Sequence, residues 1–420
     1  LVFRNQQLFA GDIAVFHPTK LDSIYIDANC TELYCNNRLL QDMLSQLQMK
    51  PVQLPQIINR LGDIHYQGDI RGRLEKIELH GAFTTSLGSL KVNGDVQTDT
   101  TLQELDFCGH VSTRRFNLGR LLNQKDLGII ALHTHIDGKI DSAGLVHGTA
   151  EGDIDKIEYK GYCYQHIRLN GELLKEEVSG SIAIEDENIK LTINGLADWS
   201  EEDTRLDATV VLSNFQPATL HLIEQYPDLQ MGAKAYISLY TSGKNAELLD
   251  NMTGYVIVDS LQLINGEKQG IMNQFKLLVD NEISGNESYR QLRIQSDYLT
   301  ANISGGFSYK TLPITIKKLL HQYLPTLVEK PVAKCQKQNN LDFYAYFRGL
   351  DSISQLLDLS VELPSLPTIK GYIHEDKQQI GLQAYIPNIN TSGAKMENIT
   401  REDLMLLTAD DVLHARGKID

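Results

Sequence analysis

From Tyr159 to Trp199 the chain reads YKGYCYQHIRLNGELLKEEVSGSIAIEDENIKLTINGLADW, and apolar residues return at every second position. The alternation runs for a few residues, breaks at a glycine or an acidic cluster, and resumes. A period of two puts alternate side chains on opposite faces of an extended chain, so it excludes helix here and specifies short strands with one apolar side. A four-residue turn at Glu185-Asp186-Glu187-Asn188 sets Ile184 opposite Ile189, Ile182 opposite Leu191 and Gly180 opposite Ile193. Opposed residues share a face, so one side of this hairpin is Ile182, Ile184, Ile189, Leu191 and Ile193. The other side is Ser181, Ala183, Lys190 and Thr192, as in an antiparallel sheet that is wet on one face.

The same grammar recurs at Leu206, Ala208, Val210 and Leu212, at Ile77 and Leu79, and at 255–259. GRLEKIELHG at 72–81 returns as GDIDKIEYKG at 152–161, which predicts a structural repeat of several strands. Asn-Gly pairs occur at 93–94, 170–171, 194–195 and 265–266. A tight turn at Asn93-Gly94 would mix apolar and charged residues on both faces, so a bend or bulge inside a long strand fits better. Helical spacing is confined to short pieces: Leu39 to Leu47, Ile316 to Leu324 ahead of Pro325, and LDSISQLLDL at 350–359. Prolines at 364 and 367 return the chain to extended structure.

The net charge is −15 with both signs interspersed, a surface that repels phosphate backbones and argues against nucleic-acid partners. No apolar run has the length of a membrane span, and LVFRNQQLF has neither an initiator Met nor a signal-peptide shape. The expectation is a mature or excised soluble segment whose anchor, if any, lies elsewhere. Of five cysteines, Cys30 and Cys35 alone are close, compatible with a disulfide or with buried thiols. There is no nucleophile elbow, phosphate loop, dinucleotide fingerprint or zinc-protease helix. His133 and His135 share a strand face without an evident third ligand, and read as solvated strand residues. An enzyme is disfavoured, and no cofactor or metal site is expected.

Four stretches carry a family resemblance: LPQIINRLGDIHYQGDIRGRLEKIELHGAFTTSLGSLKVNGDV (54–96), FNLGRLLNQKDLGIIALHTHIDGKI (116–140), residues 157–199, and LLDLSVELPSLPTIKGYI (356–373). Together they resemble the TamB family, the periplasmic subunit of the translocation and assembly module, within the AsmA-like superfamily. The resemblance implies an internal periplasmic segment, held at the inner membrane of a Gram-negative cell through regions outside this chain. It implies an all-β fold of elongated, curved antiparallel sheet repeats, a β-taco or β-solenoid-like groove, with a few short helices. It implies phospholipid acyl chains as cargo, an outer-membrane barrel partner of the TamA or BamA type, and a role in outer-membrane protein and autotransporter assembly. What carries over is a surface: the hairpin residues named above and, by analogy, Ile77, Leu79, Ile157 and Tyr159 as groove lining. The expected divisions are 1–62 (strands and a short helix), 63–215 and 216–312 (β-repeats), and 313–420 (short helices, then further strands). Two other readings stand beside it: an extracellular β-solenoid adhesin or glycan binder, which would present aromatic ladders outward, and a β-helix hydrolase, which would need a carboxylate cluster.

Overall fold

A computed structural model describes residues 9–17, 24–37, 59–73, 75–98, 104–141, 146–200, 203–242, 249–284, 287–323, 338–357 and 367–385, with short pieces outside these. The fold is all-β: a curved antiparallel sheet accompanied by a few short helices, as the alternation predicts. Contacts divide the chain into two units, one of 1–194 with 218–224, the other of 195–217 with 225–420.

In the first unit, β1 (Phe9–Phe16), β2 (Tyr25–Cys35), β3 (Ile64–Arg73), β4 (Lys76–Thr85), β5 (Gly88–Thr98) and β6 (Leu105–Asn117) pair in chain order. Helix α1 (Leu118–Leu122) follows, then β7 (Leu127–Ile140), β8 (Val146–Tyr159), β9 (Tyr162–Leu174) and β10 (Glu177–Asp186), again each paired with the next. Strand β11 (Ile189–Trp199) crosses the boundary between the units. Neighbour-to-neighbour pairing follows from the short turns, since a strand returning through a tight turn has its predecessor as nearest partner.

The second unit contains β12 (Asp203–Phe215), β13 (Leu229–Ser242), β14 (Thr253–Asn265), β15 (Lys268–Ser284), β16 (Glu287–Ser296) and β17 (Leu299–Gly306). Helix α2 (Leu312–Tyr323), β18 (Asn340–Phe347), α3 (Leu350–Leu356), β19 (Thr368–His374) and β20 (Gln379–Tyr385) complete it, the strands pairing serially from β12. Both α2 and α3 fall where the helical spacing predicts them. The expected helix at 39–47 lies almost wholly outside the described residues.

Two local expectations change. Strand β10 runs to Asp186 and β11 starts at Ile189, so the turn is Glu187-Asn188 and not four residues. Asp186 stays in the strand because its buried carboxylate accepts hydrogen bonds from Tyr162 Oη, from Gln165 N at 3.0 Å and from Asn188 N at 2.9 Å. The change is an even number of residues, so the assignment of faces survives. The two similar decapeptides are not equivalent in structure: the first turns a hairpin between β3 and β4, while Gly152 to Tyr159 of the second lies inside β8. A charged Gly-x-φ-acid segment suits a turn or a strand, and neighbouring pairing partners decide which. Asn93-Gly94 does sit within β5, whereas Asn265-Gly266 turns from β14 into β15 with Gly266 at φ +61°.

Candidate functional site: a one-sided apolar face

In the first unit, pairing register carries each apolar set onto the same side. Ile70 opposes Leu79, Gly72 opposes Ile77, and Ile77 opposes Val96, which opposes Phe107. Gly109 pairs with Ile136 and Ile136 with Ala150, while Gly152 pairs with Leu169 and Leu169 with Ile182. Ile167 opposes Ile184 and Leu173 opposes Val178. The reverse side takes the polar sets: Asp69 with His80, Arg71 with Glu78, Asn93 with His110, His110 with His135, and Asp153 with Arg168. One wrong-parity insertion would exchange the two sides, so this continuity over successive strands is a strong constraint.

Two irregularities preserve it. Register shifts on β8 between Ile154 and Lys156, and His166 has φ +51° on the adjacent strand. Odd-numbered Ile157 thereby returns to the side of even-numbered Ile154, and both pack against one buried cluster. Glycines on the apolar side face one another across strands: Gly68 with Gly81, Gly94 with Gly109, Gly138 with Gly148, and Gly171 with Gly180. A Cβ on Gly109 would lie 2.5 Å from Gly94 Cα, so this pair exists because neither residue has a side chain.

Burial along this face is graded. At one end of the strands Leu87, Phe116 and Ile130 are buried, joined by Leu61, Leu90, Leu118, Leu121 and Leu132. Helix α1 is seated there: Asn117 Oδ1 accepts from Arg120 N at 2.9 Å, and Arg60 Nη1 donates to Leu121 O at 2.8 Å. Toward the other end the face is open. Ile13 (57%), Val146 (49%), Val15 (45%), Leu105 (42%), Ile140 (41%), Val178 (40%) and Ile182 (39%) are exposed there or nearby.

The sequence-predicted lining distributes accordingly. Ile77, Leu79, Ile157 and Ile184 are half-buried, and Ile182 is exposed. Ile189 is buried, and Leu191 and Ile193 are half-buried while Lys190, Thr192 and Asn194 between them are exposed. Tyr159 stands at the strand end, 36% exposed, with Lys160 Nζ 5.8 Å from its ring. His133 and His135 share the polar side: His133 reaches Asp153 at 3.3 Å, and His135 packs on His110 with ring centroids 4.7 Å apart. Among the described residues no group of three potential ligands surrounds either histidine. Cys30 and Cys35 are free thiols, each with its pKa raised chiefly by burial.

The second unit also gathers apolar residues into a continuous row, although Tyr236, Ile257, Tyr255 and Leu278 stand on its reverse side. Ala208 opposes Ile237, Ile237 opposes Val256, and Val256 opposes Leu277, which opposes Ile294. Ile294 meets Ala301 and Ala301 meets Ala345. Helix α2 closes one end, burying Leu319 with Phe307, Leu341 and Ile373, and Ile316 packs against them. A polar lock holds the helix. Glu375 Oε2 accepts from Thr315 Oγ1 at 2.9 Å and from Asn339 N at 3.0 Å, and Lys318 Nζ donates to Oε1 at 3.0 Å. Burial by itself raises the Glu375 pKa, but Lys318, the Asn339 N–H and Thr315 together hold it below the ordinary value. Arg290, 2% exposed, donates to the carbonyls of Asp250 and Phe307 beside this plug. Neither lock has a periodic signal: Glu375 and Arg290 read from sequence as ordinary surface charges.

No helix among the described residues is long and apolar enough to cross a membrane, which leaves open any crossing by strands. No family model, curated protein or solved structure matches this chain.

Proposed function

We propose that this chain is a TamB-like envelope-biogenesis segment of the Gram-negative periplasm. In this reading it carries phospholipid along its apolar face toward the outer membrane and assists outer-membrane protein and autotransporter assembly beside a barrel partner. One observation carries the proposal: an apolar side continuous from β3 to β10, closed at one end of the strands by a buried cluster against which α1 packs, and exposed at the other. Contiguous exposed apolar surface on this scale marks an interaction site. Hydrocarbon suits it because register leaves almost no polar side chain on that face, and each methylene withdrawn from water contributes about 0.8 kcal/mol. A lining of Ile, Leu and Val offers no directional bond, so an acyl chain held there slides without a deep minimum. No catalytic group is assigned in this reading.

Photo-crosslinkers at Ile184 and Leu191, compared with Ala183 and Lys190, test it in the presence of phospholipid vesicles. Acyl-chain adducts at the first pair alone are expected. Equal labelling of both pairs would contradict a lipid-bearing face.

A further inference from the structure

The reverse side of the second unit carries a feature the lipid reading does not use. Tyr344 and Tyr346, two apart on β18, project from that side at 38% and 41% exposure with ring centroids 5.2 Å apart. Tyr344 pairs with Lys370 on β19, and Lys370 with Gln383 on β20. On the next same-face row Tyr372 pairs with Gly381, and these residues line a cavity of about 350 Å³. The volume lies in the range of small-molecule sites. Tyr372 has a structural reason to be there: a Cβ on Gly381 would lie 2.3 Å from its ring, so the ring covers the glycine. Tyr344 and Tyr346 cover no glycine, and water around two adjacent rings is what a ligand would displace.

Charge and polarity narrow the ligand. Lys370 stands in the row with Tyr344, which disfavours a quaternary ammonium in an aromatic cage. The strongly acidic chain disfavours a nucleic-acid strand stacking on the rings. Phe343 and Leu382 add apolar surface to the lining, while Lys370 and Gln383 at its border favour a ligand that also carries hydroxyls over plain hydrocarbon. A pyranose ring fits: its C–H face stacks on tyrosine while its hydroxyls meet an ammonium and an amide. The ring spacing is close to one sugar unit of an extended β-linked chain. We propose that Tyr344, Tyr346, Lys370, Tyr372 and Gln383 form a binding site for a β-linked oligosaccharide, on the side of the sheet away from the apolar face and independent of lipid carriage.

Saturation-transfer NMR and calorimetry on the full chain, with tetramers of β-1,4-linked N-acetylglucosamine and of β-1,4-linked glucose as probes, test this. Binding of at least one tetramer is expected. It should weaken about tenfold or more in a Tyr344→Ala/Tyr346→Ala variant, change little in Tyr344→Phe/Tyr346→Phe, and be unchanged in Tyr289→Ala. The Phe variant isolates the rings from their hydroxyls, and an unchanged circular-dichroism spectrum and unfolding midpoint of the Ala variant separate lost stacking from lost folding. Absence of saturation transfer to both tetramers in the wild-type chain, or unchanged binding in the double Ala variant, overturns the proposal.

Discussion

Replacing Glu375 by alanine should detach α2 from the sheet while leaving the distant strands intact. The magnitude follows from the partners. Thr315 and Asn339 are both 0% exposed, and their hydroxyl and backbone N–H lose their shared acceptor without gaining water. Each buried donor left unpaired costs about 1–3 kcal/mol, so the pair together costs about 4 kcal/mol. Lys318 adds little, because its side chain is 59% exposed and returns to solvent. Glu375→Gln retains an oxygen for both donors and loses the ion pair, so it should cost less than about 1 kcal/mol. The assay is hydrogen exchange across 312–323, read as a local opening free energy. In the wild type, protection should also fall with pH. The folded carboxyl has a lowered pKa, so its stabilisation is present above the ordinary value of 4.5 and is lost as pH drops through the lowered one. Glu375→Gln should lack that acid limb. Equal protection of α2 in the Ala, Gln and wild-type chains would refute the lock.

Gly109→Ala brings a Cβ to 2.5 Å from Gly94 Cα, while Gly138→Ala has its nearest neighbour, His147 O, at 3.4 Å. Urea denaturation should show a loss of about 2 kcal/mol or more for the first and less than about 1 kcal/mol for the second. Arg290→Lys cannot reproduce a fork to two carbonyls, and thermal unfolding should report a loss of about 3 kcal/mol. Burial, followed by the hydrogen bond to Asp186, pushes the Tyr162 pKa up to about 12. Its stabilisation is full below the ordinary tyrosine value and is lost as pH rises through 12. An alkaline titration of stability should therefore show a limb in the wild type that Tyr162→Phe lacks.

Much of the apolar face was legible because strand side chains have a period of exactly two-fold alternation that survives wherever pairing partners share parity. Leu206 to Leu212, the hairpin around Ile184 and the in-strand reading of Asn93-Gly94 needed nothing beyond local pattern. The turn at Glu187-Asn188 was misplaced because acidic residues are turn formers by composition, whereas Asp186 is held in the strand by Tyr162 and Gln165, donors 24 and 21 residues away. The two decapeptides differ in structure for a related reason: similar local preference takes different structure when the pairing strands differ. The tyrosine pair has no local signal, since Tyr344 and Tyr346 acquire Lys370, Tyr372 and Gln383 as neighbours only through the register of β18, β19 and β20.

The sequence alone determined that this chain is strands with one oily side, because parity is a property of each segment by itself. Tertiary structure decided which end of that side is closed and which is open. In the first unit closure depends on Leu61, Leu87 and Phe116 meeting across turns; in the second, taken by itself, it depends on one carboxylate reaching a helix some sixty positions earlier (Glu375 to Thr315). Long-range contacts of this kind follow from how successive pairings place the strand ends, and no local pattern encodes them.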